Sequence, residues 1–250
     1  MFLNICSNFF ILNSSNLFCL LASSSSLFTN STLSVSASSF NFSISRSLYR
    51  TGSNLFNKRK VKYIMKAFIV NKYSKKEKLH LVDRAMPSIQ EHQVLVQIHS
   101  AGVNLLDSLI RNGEFKLFLP YKPPFVNGHD MAGVVTQVGS RVSRFKPGDQ
   151  VYARVSDYHI GTFAEYITID EKDLALKPGN ISMEEAGSIP LVGLTSWQAL
   201  VETGKVKKGQ KVFIQAGSGG VGTFAIQLAK QLGAFVATTT SAKNIDLVKS

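Results

Sequence analysis

Cysteine is almost missing from this chain: its 250 residues hold two, Cys6 and Cys19, both near the amino terminus. From residue 65 onward there is none, which excludes disulfides and thiolate-based metal centres from that part. Acidic residues are absent from positions 1–64, whose only charges are Arg46, Arg50, Lys58, Arg59, Lys60 and Lys62. No apolar run approaches the roughly 20 residues of a membrane helix, and "NSSN" interrupts the most apolar stretch. The net charge is +12, yet half of it belongs to the first 64 residues; positions 65–250 keep +6 with both signs interspersed. With no basic helix and no basic patch interleaved with aromatics, nucleic acid is not the expected partner, and a mildly basic enzyme surface is.

Residues 1–64 differ in kind from the rest. They are rich in Ser, Asn, Phe and Leu, acid-poor, and basic toward their end, as an organelle transit peptide is. Two other readings stay open. Met65 opens "MKAFIV", a natural start for a folded domain, so the upstream part is alternatively an extension foreign to the folded protein. A secretory signal fits less well, because no Lys or Arg precedes the apolar stretch. Residues 1–64 are expected to be a disordered leader, with a plastid or mitochondrial location if it is genuine and a cytoplasmic one otherwise.

Between Met65 and about residue 180 the pattern is β-like. "KAFIVN", "LHLVD", "VLVQIHSAGV", "MAGVVTQVG", "DQVYARV" and "FAEYITI" are separated by Gly and Pro punctuation, which predicts short strands in a compact, barrel-like domain. From Ser182 the pattern turns helical, with Ser182 and Glu185 at capping-box spacing.

A different unit follows in "KVFIQAGSGGVGTFAIQLAKQLGAFVATTT", residues 211–240. Val212, Phe213 and Ile214 form a strand-like run, and Gly217, Gly219 and Gly222 then stand in G-x-G-x-x-G register. Val221, Phe224, Ala225, Leu228, Ala229 and Leu232 fall at helical spacing, and "AFVATTT" reads as a second strand. Strand, glycine turn, helix and strand within about thirty residues is the unit that binds a dinucleotide. Gly217 permits the turn, Gly219 the approach of a pyrophosphate, and Gly222 the packing of helix on strand; the segment Gly217, Ser218, Gly219, Gly220, Val221, Gly222 is the predicted anion cradle. No Asp or Glu lies between Gly217 and Asn244 to hold a ribose 2′-hydroxyl, whereas Thr240, Ser241 and Lys243 suit a 2′-phosphate. NADPH is therefore the expected cofactor.

Four segments in order carry a resemblance: "SAGVNLLDSLIRNGEF", "PFVNGHDMAGVVTQVGSRVSRFKPGDQVYA", "IPLVGLTSWQAL" and "GQKVFIQAGSGGVGTFAIQLAK". Together they resemble the zinc-independent quinone oxidoreductase and zeta-crystallin branch of the medium-chain dehydrogenase/reductase superfamily. The resemblance runs from Met65 to Ser250, and Phe213 departs from the branch signature, which has Leu there. It implies an α/β plus β-barrel fold: a GroES-like catalytic domain over 65–180, then the amino-terminal part of a Rossmann NADP-binding domain over 181–250, with an active-site cleft between such domains in family members.

Relative to the zinc-dependent branch, Asn104 stands where the first Cys ligand would be and "GHD" at Gly128–Asp130 replaces Gly-His-Glu, so no metal is expected and His129 reads as part of a hydrogen-bonded turn. The resemblance then implies hydride transfer from NADPH to a quinone or an α,β-unsaturated carbonyl, acceptors reactive without a Lewis acid. By motif match Asn104 and Thr195 lie near the cofactor, with Asn104 able to donate to cofactor or carbonyl; Tyr121 and Tyr152 are candidates for the substrate side. The chain stops in the helix after the second Rossmann strand, which reads as carboxy-terminal truncation. Two expectations follow: apolar surface left open on Val212, Ile214 and Val236, and, as the alternative function, an inactive family member with partial cofactor binding at most. Related full-length proteins are often homodimers or homotetramers.

Overall fold

The computed structural model describes residues 9–13, 16–19 and 64–250. The expected leader lies outside the described residues apart from two short extended segments, Phe9–Asn13 (β1) and Asn16–Cys19 (β2). Of the described residues, 64–188 form one compact unit, and 189–250 together with β1 and β2 form another.

The first unit is built from antiparallel strands. Ile64–Val70 (β3) pairs with His80–Ala85 (β4) on one side and with Phe125–Val126 (β6) on the other. A five-stranded sheet combines Gln93–Gly102 (β5), Asp130–Val138 (β7), Gln150–Arg154 (β8), Tyr166–Asp170 (β9) and Ala175–Leu176 (β10) in the order β10-β8-β7-β5-β9. The expected barrel-like domain is thus two antiparallel sheets, joined by the bridge Ala67–Ala164. Alternation places Val94, Val96, Met131, Val135, Val151, Ala153, Ile167 and Ile169 in one apolar core.

Helix α1, Leu105–Asn112, leaves the end of β5 and buries Ile110 against Val70 and Phe125. Its start is fixed by Asp107 Oδ2, which accepts the main-chain N–H of Asn104 at 2.7 Å, and its end by Gly113 in the left-handed region at φ 85°. The capping box read at Ser182 and Glu185 is formed: Ser182 N–H donates to Glu185 Oε2 at 2.7 Å and Glu185 N–H to Ser182 Oγ at 3.1 Å. It opens α2, Met183–Ser188.

In the second unit Pro190–Trp197 (α3) runs into a π-helical stretch, Gln198–Thr203. Then come Lys211–Ile214 (β11), Gly220–Gln231 (α4), Phe235–Thr238 (β12) and a short final helix, Ile245–Lys249 (α5). β11 and β12 pair in parallel with α4 as the connection between them, the arrangement the glycine motif predicts, and β1 pairs antiparallel with the other edge of β11. The expected exposure of Val212 and Ile214 is not found: both are 1% accessible. They share one face of β11, and Leu200, Val206, Ala225 and Ala229 of the same unit pack with them. Val236 is half-buried, and the exposed large apolar side chains in this unit are instead Phe235, Leu247, Leu194, Trp197 and Ile245.

Candidate active site

The glycine loop shows why its residue types are needed. A Cβ on Gly217 would lie 2.2 Å from Thr238 Oγ1, and one on Gly222 would lie 2.4 Å from the Ala216 carbonyl and 2.8 Å from Gly217 Cα. Both positions are closed to any side chain because strand and helix approach there. Gly219 and Gly220 are different: an added Cβ would meet nothing closer than 3.4 Å. Their backbone therefore borders open space at the amino end of α4, where Gly219 is the N-cap. The helix offers no acceptor four residues back to the N–H groups of Gly220, Val221 and Gly222, and those donors with the helix dipole make an anion site. A dinucleotide pyrophosphate fits this cradle.

Ser218 ties the loop to the segment after β12. Its Oγ accepts from Thr240 Oγ1 at 2.9 Å and from Asn244 Nδ2 at 3.1 Å. Of the residues predicted to read a 2′-phosphate, Thr240 is thus joined to the loop directly, while Ser241 and Lys243 are its close chain neighbours, at the N-cap and within the short 3-10 turn Ala242–Asn244. Asn244, 26 positions from Ser218, carries no sequence signal for this contact. Thr195 belongs to the last turn of α3 in the same unit, next to Ser196, which is fully buried and donates to the Val192 carbonyl at 2.8 Å.

Asn104, Tyr121 and Tyr152 lie in the other unit. Asn104, half-buried at the N-cap of α1, donates from Nδ2 to Asp130 Oδ2 at 3.0 Å. Asp107, three residues on, receives the Asn104 main-chain N–H on Oδ2 and holds His129 Nδ1 at 2.6 Å on Oδ1. Its carbonyl accepts from Asn127 Nδ2 at 2.9 Å. His129 Nε2 faces Asp157 Oδ1 at 3.6 Å, an ionic contact beyond hydrogen-bond range, and Arg154 Nη2 bonds the same Asp157 oxygen. His129 is hydrogen-bonded, but the expected turn at "GHD" is not found: Gly128 and His129 lead directly into β7, whose first residue is Asp130.

Asp107 is 2% accessible and His129 and Asp130 are 0%, so these interactions form inside the protein. Burial opposes charge on His129, but the Asp107 hydrogen bond and the Asp157 carboxylate together outweigh it and hold its pKa above the ordinary histidine value. Asp157 is moved the other way: contact with His129, then the Arg154 charge, keep its carboxyl below the usual range against the effect of burial.

Tyr121 is engaged on both sides of its hydroxyl. It donates to the Asp157 carbonyl at 2.7 Å and accepts from Ile160 N–H at 3.0 Å, with its ring 5.3 Å from that of Phe125. Burial raises its pKa above the ordinary tyrosine value. Tyr73 Oη also donates to the Tyr121 carbonyl. Tyr152 sits in β8 opposite Ala132 and Ala175, half-buried between the core residues Val151 and Ala153. One chain of contacts thus links Asn104, Asp107, His129, Asp157 and Tyr121. The spacing Asn104-to-Asp107 is a helix-start signal readable in sequence; Asp157, in a loop, carries no such signal.

Residues 90–179 match the alcohol dehydrogenase GroES-like domain. The chain is 40% identical over 195 residues to the chloroplastic NADPH-dependent alkenal/one oxidoreductase of Arabidopsis thaliana, covering 74% of this chain and 50% of that protein. It is 35% identical over 204 residues to a mitochondrial NAD(P)H oxidoreductase of Danio rerio, covering 74% and 53%. Among solved structures, the quinone oxidoreductase of Coxiella burnetii superposes with a TM-score of 0.67 at 36% identity, covering 75% of this chain and 60% of that one. The chain spans about half the length of the curated relatives it matches.

Proposed function

We propose, from its membership of the medium-chain dehydrogenase/reductase superfamily and its similarity to quinone and alkenal/one oxidoreductases, that the chain binds NADPH and serves hydride transfer to a quinone or an α,β-unsaturated carbonyl without zinc. The observation that carries the cofactor is the glycine loop: two glycines closed to side chains by backbone contact, two facing open space, at the amino end of α4. Gly220, Val221 and Gly222 would hold the pyrophosphate through N–H groups. Lys243, with Ser241 and Thr240, would hold the 2′-phosphate, and Ser218 keeps the loop and that segment together. NADPH supplies the hydride when bound. Asn104 and Thr195 are proposed to contact the cofactor, and Tyr152 to border the acceptor; Tyr121 shapes the 157–160 loop.

Zinc-free chemistry is supported by the donor set. Residues 65–250 contain no cysteine, and Asn104 occupies the first ligand position of the zinc-dependent branch. A conjugated carbonyl or quinone is an acceptor that needs positioning and polarisation rather than a Lewis acid. The relatives' chloroplastic and mitochondrial designations accord with the basic, acid-free first 64 residues, proposed here as an organelle-targeting segment. Among the described residues no helix is long and apolar enough to cross a membrane.

The test is a paired titration of the whole chain with NADPH and NADH, followed by NADPH oxidation with an enone and a quinone. Tighter binding of NADPH, and a gap that Lys243→Ala narrows by about 1 to 2 kcal/mol, the scale of a charge-assisted hydrogen bond, is expected. Equal affinities overturn the 2′-phosphate assignment, and NADPH binding without turnover of either acceptor makes the chain a cofactor-binding protein rather than a reductase.

A further inference from the structure

The charge of residues 65–250 is not spread evenly once the chain is folded. Two stretches far apart in sequence, 71–80 and 111–122, hold seven basic residues and two acidic ones, a net +5 of the +6 that positions 65–250 carry. The fold sets them side by side. Ser74 N–H donates to the Arg111 carbonyl at 3.2 Å, a Cβ on Gly113 would lie 3.0 Å from Tyr73 Cβ, and Tyr73 Oη bonds the Tyr121 carbonyl. Both acids are taken up inside the patch, Glu77 by Lys72 at 3.1 Å and Glu114 by Lys75 at 3.7 Å. Lys76, Lys78, Lys116 and Lys122 are exposed, and no ion pair engages them among the described residues. The same surface carries an apolar tip. After α1 the chain turns tightly, with the N–H groups of Phe118 and Leu119 both donating to the Phe115 carbonyl at 2.9 Å. Phe115 and Leu119 pack against the cluster of Val70, Ile110 and Phe125. Leu117 and Phe118, between them, are left outside at 84% and 61% accessible, and no large apolar side chain among the described residues is more exposed than Leu117. Such exposure belongs to a convex tip, not to a groove.

We propose that this tip and its lysines bind the surface of a bilayer that contains anionic lipid: Leu117 and Phe118 enter at the boundary of headgroups and acyl chains, and Lys76, Lys78, Lys116 and Lys122 meet the lipid phosphates. An adjacent apolar pair facing water gains by leaving it, and lysine stems lie along such a boundary while Nζ stays among the phosphates. Either signal alone is weak; reversible anchoring takes both. Leucine offers a nucleic acid neither a stacking face nor a hydrogen bond, so its place at the tip favours lipid. Every residue involved belongs to the unit 64–188, so failure here leaves the NADPH reading untouched, and failure of that reading leaves this surface untouched.

Flotation of the whole chain with vesicles of phosphatidylcholine alone, and with about 30% phosphatidylglycerol, in about 0.1 M salt tests this. The parent should partition about tenfold more strongly onto the anionic vesicles. Leu117→Ser with Phe118→Ser should lower that partition about tenfold, and Lys76→Gln with Lys116→Gln and Lys122→Gln should lower it as much and abolish the preference for phosphatidylglycerol. All five substituted side chains are exposed, so circular dichroism should match the parent. In Phe118→Trp, brominated acyl chains should quench emission beyond what they do to the parent, whose only tryptophan is Trp197. The first 64 residues carry six basic charges of their own. Vesicle binding that both patch variants leave within about threefold of the parent therefore arises elsewhere and overturns the proposal. Equal partition onto the two kinds of vesicle overturns it, as does retention of a single-stranded oligonucleotide without vesicle binding, which makes the patch a nucleic-acid surface. Should the serine variant misfold, Phe118→Trp decides: no added quenching overturns the insertion of the tip.

Discussion

Replacing Asp107 with Asn removes the charge from one member of a pair with almost no access to solvent. Asp107 Oδ1 and His129 Nδ1 are 2.6 Å apart, with side chains 3% and 0% accessible. Breaking a buried pair by neutralising one partner costs about 3 to 5 kcal/mol. The lower end applies here, because His129 can release its proton rather than remain an unmatched cation, and Asn retains an acceptor for the Asn104 N–H. The expected loss is thus about 3 kcal/mol at pH 6. The sign of its pH dependence follows from the raised His129 pKa. The folded state keeps a proton that the unfolded state has released, so the stabilisation is complete below about pH 6.5, the unfolded value, and is lost as pH rises through the folded value. The parent therefore loses stability with rising pH across that window, Asp107→Asn much less, and the difference between them shrinks. The lone tryptophan, Trp197, lies in the other unit and cannot report this. The assay is hydrogen exchange by mass spectrometry on peptides from α1 and β7 in a urea series at pH 6 and pH 8, with Trp197 fluorescence as the control that the second unit is unchanged. A penalty below about 1 kcal/mol at pH 6, or one that grows toward pH 8, refutes the argument.

Other perturbations address the glycine loop, the tyrosine and the metal. Gly222→Ala forces a Cβ against the Ala216 carbonyl and Gly217 Cα, both backbone; it should cost about 1 to 3 kcal/mol in the urea transition of Trp197 fluorescence and weaken NADPH binding more than tenfold. Tyr121→Phe leaves the Asp157 carbonyl and Ile160 N–H without their shared partner, so amides at 157–160 should exchange faster, by an amount equivalent to about 1 to 2 kcal/mol, with NADPH affinity unchanged. Exhaustive chelation should leave NADPH binding, and any enone or quinone reduction, at the untreated level; loss restored by added zinc would show that His129 and Asp130 serve as ligands.

Local order along the chain was readable because it depends on near neighbours. The G-x-G-x-x-G register, the apolar period change after Ile214 and the parallel strand pair it implies need only residues 211–240, and they reappear as β11, α4 and β12. The Ser182–Glu185 cap is likewise a four-residue event. The preference for NADPH also came from a short window, the acid-free stretch between Gly217 and Asn244. Tertiary structure alone decided what lies far apart in sequence. Val212 and Ile214 are covered because Leu200, Val206, Ala225 and Ala229 converge on one face of β11, a packing that strand periodicity does not reveal. Asn104 and Asp130, 26 positions apart, meet because β5 and β7 pair antiparallel in a register that sets Gly102 opposite Asp130. The same folding brings Asp157 from a loop to His129 and the Tyr121 hydroxyl to the backbone at 157 and 160. Sequence named the donors and acceptors present; which donor faces which acceptor depended on strand register, because a one-residue slip would turn each side chain to the opposite face of its sheet.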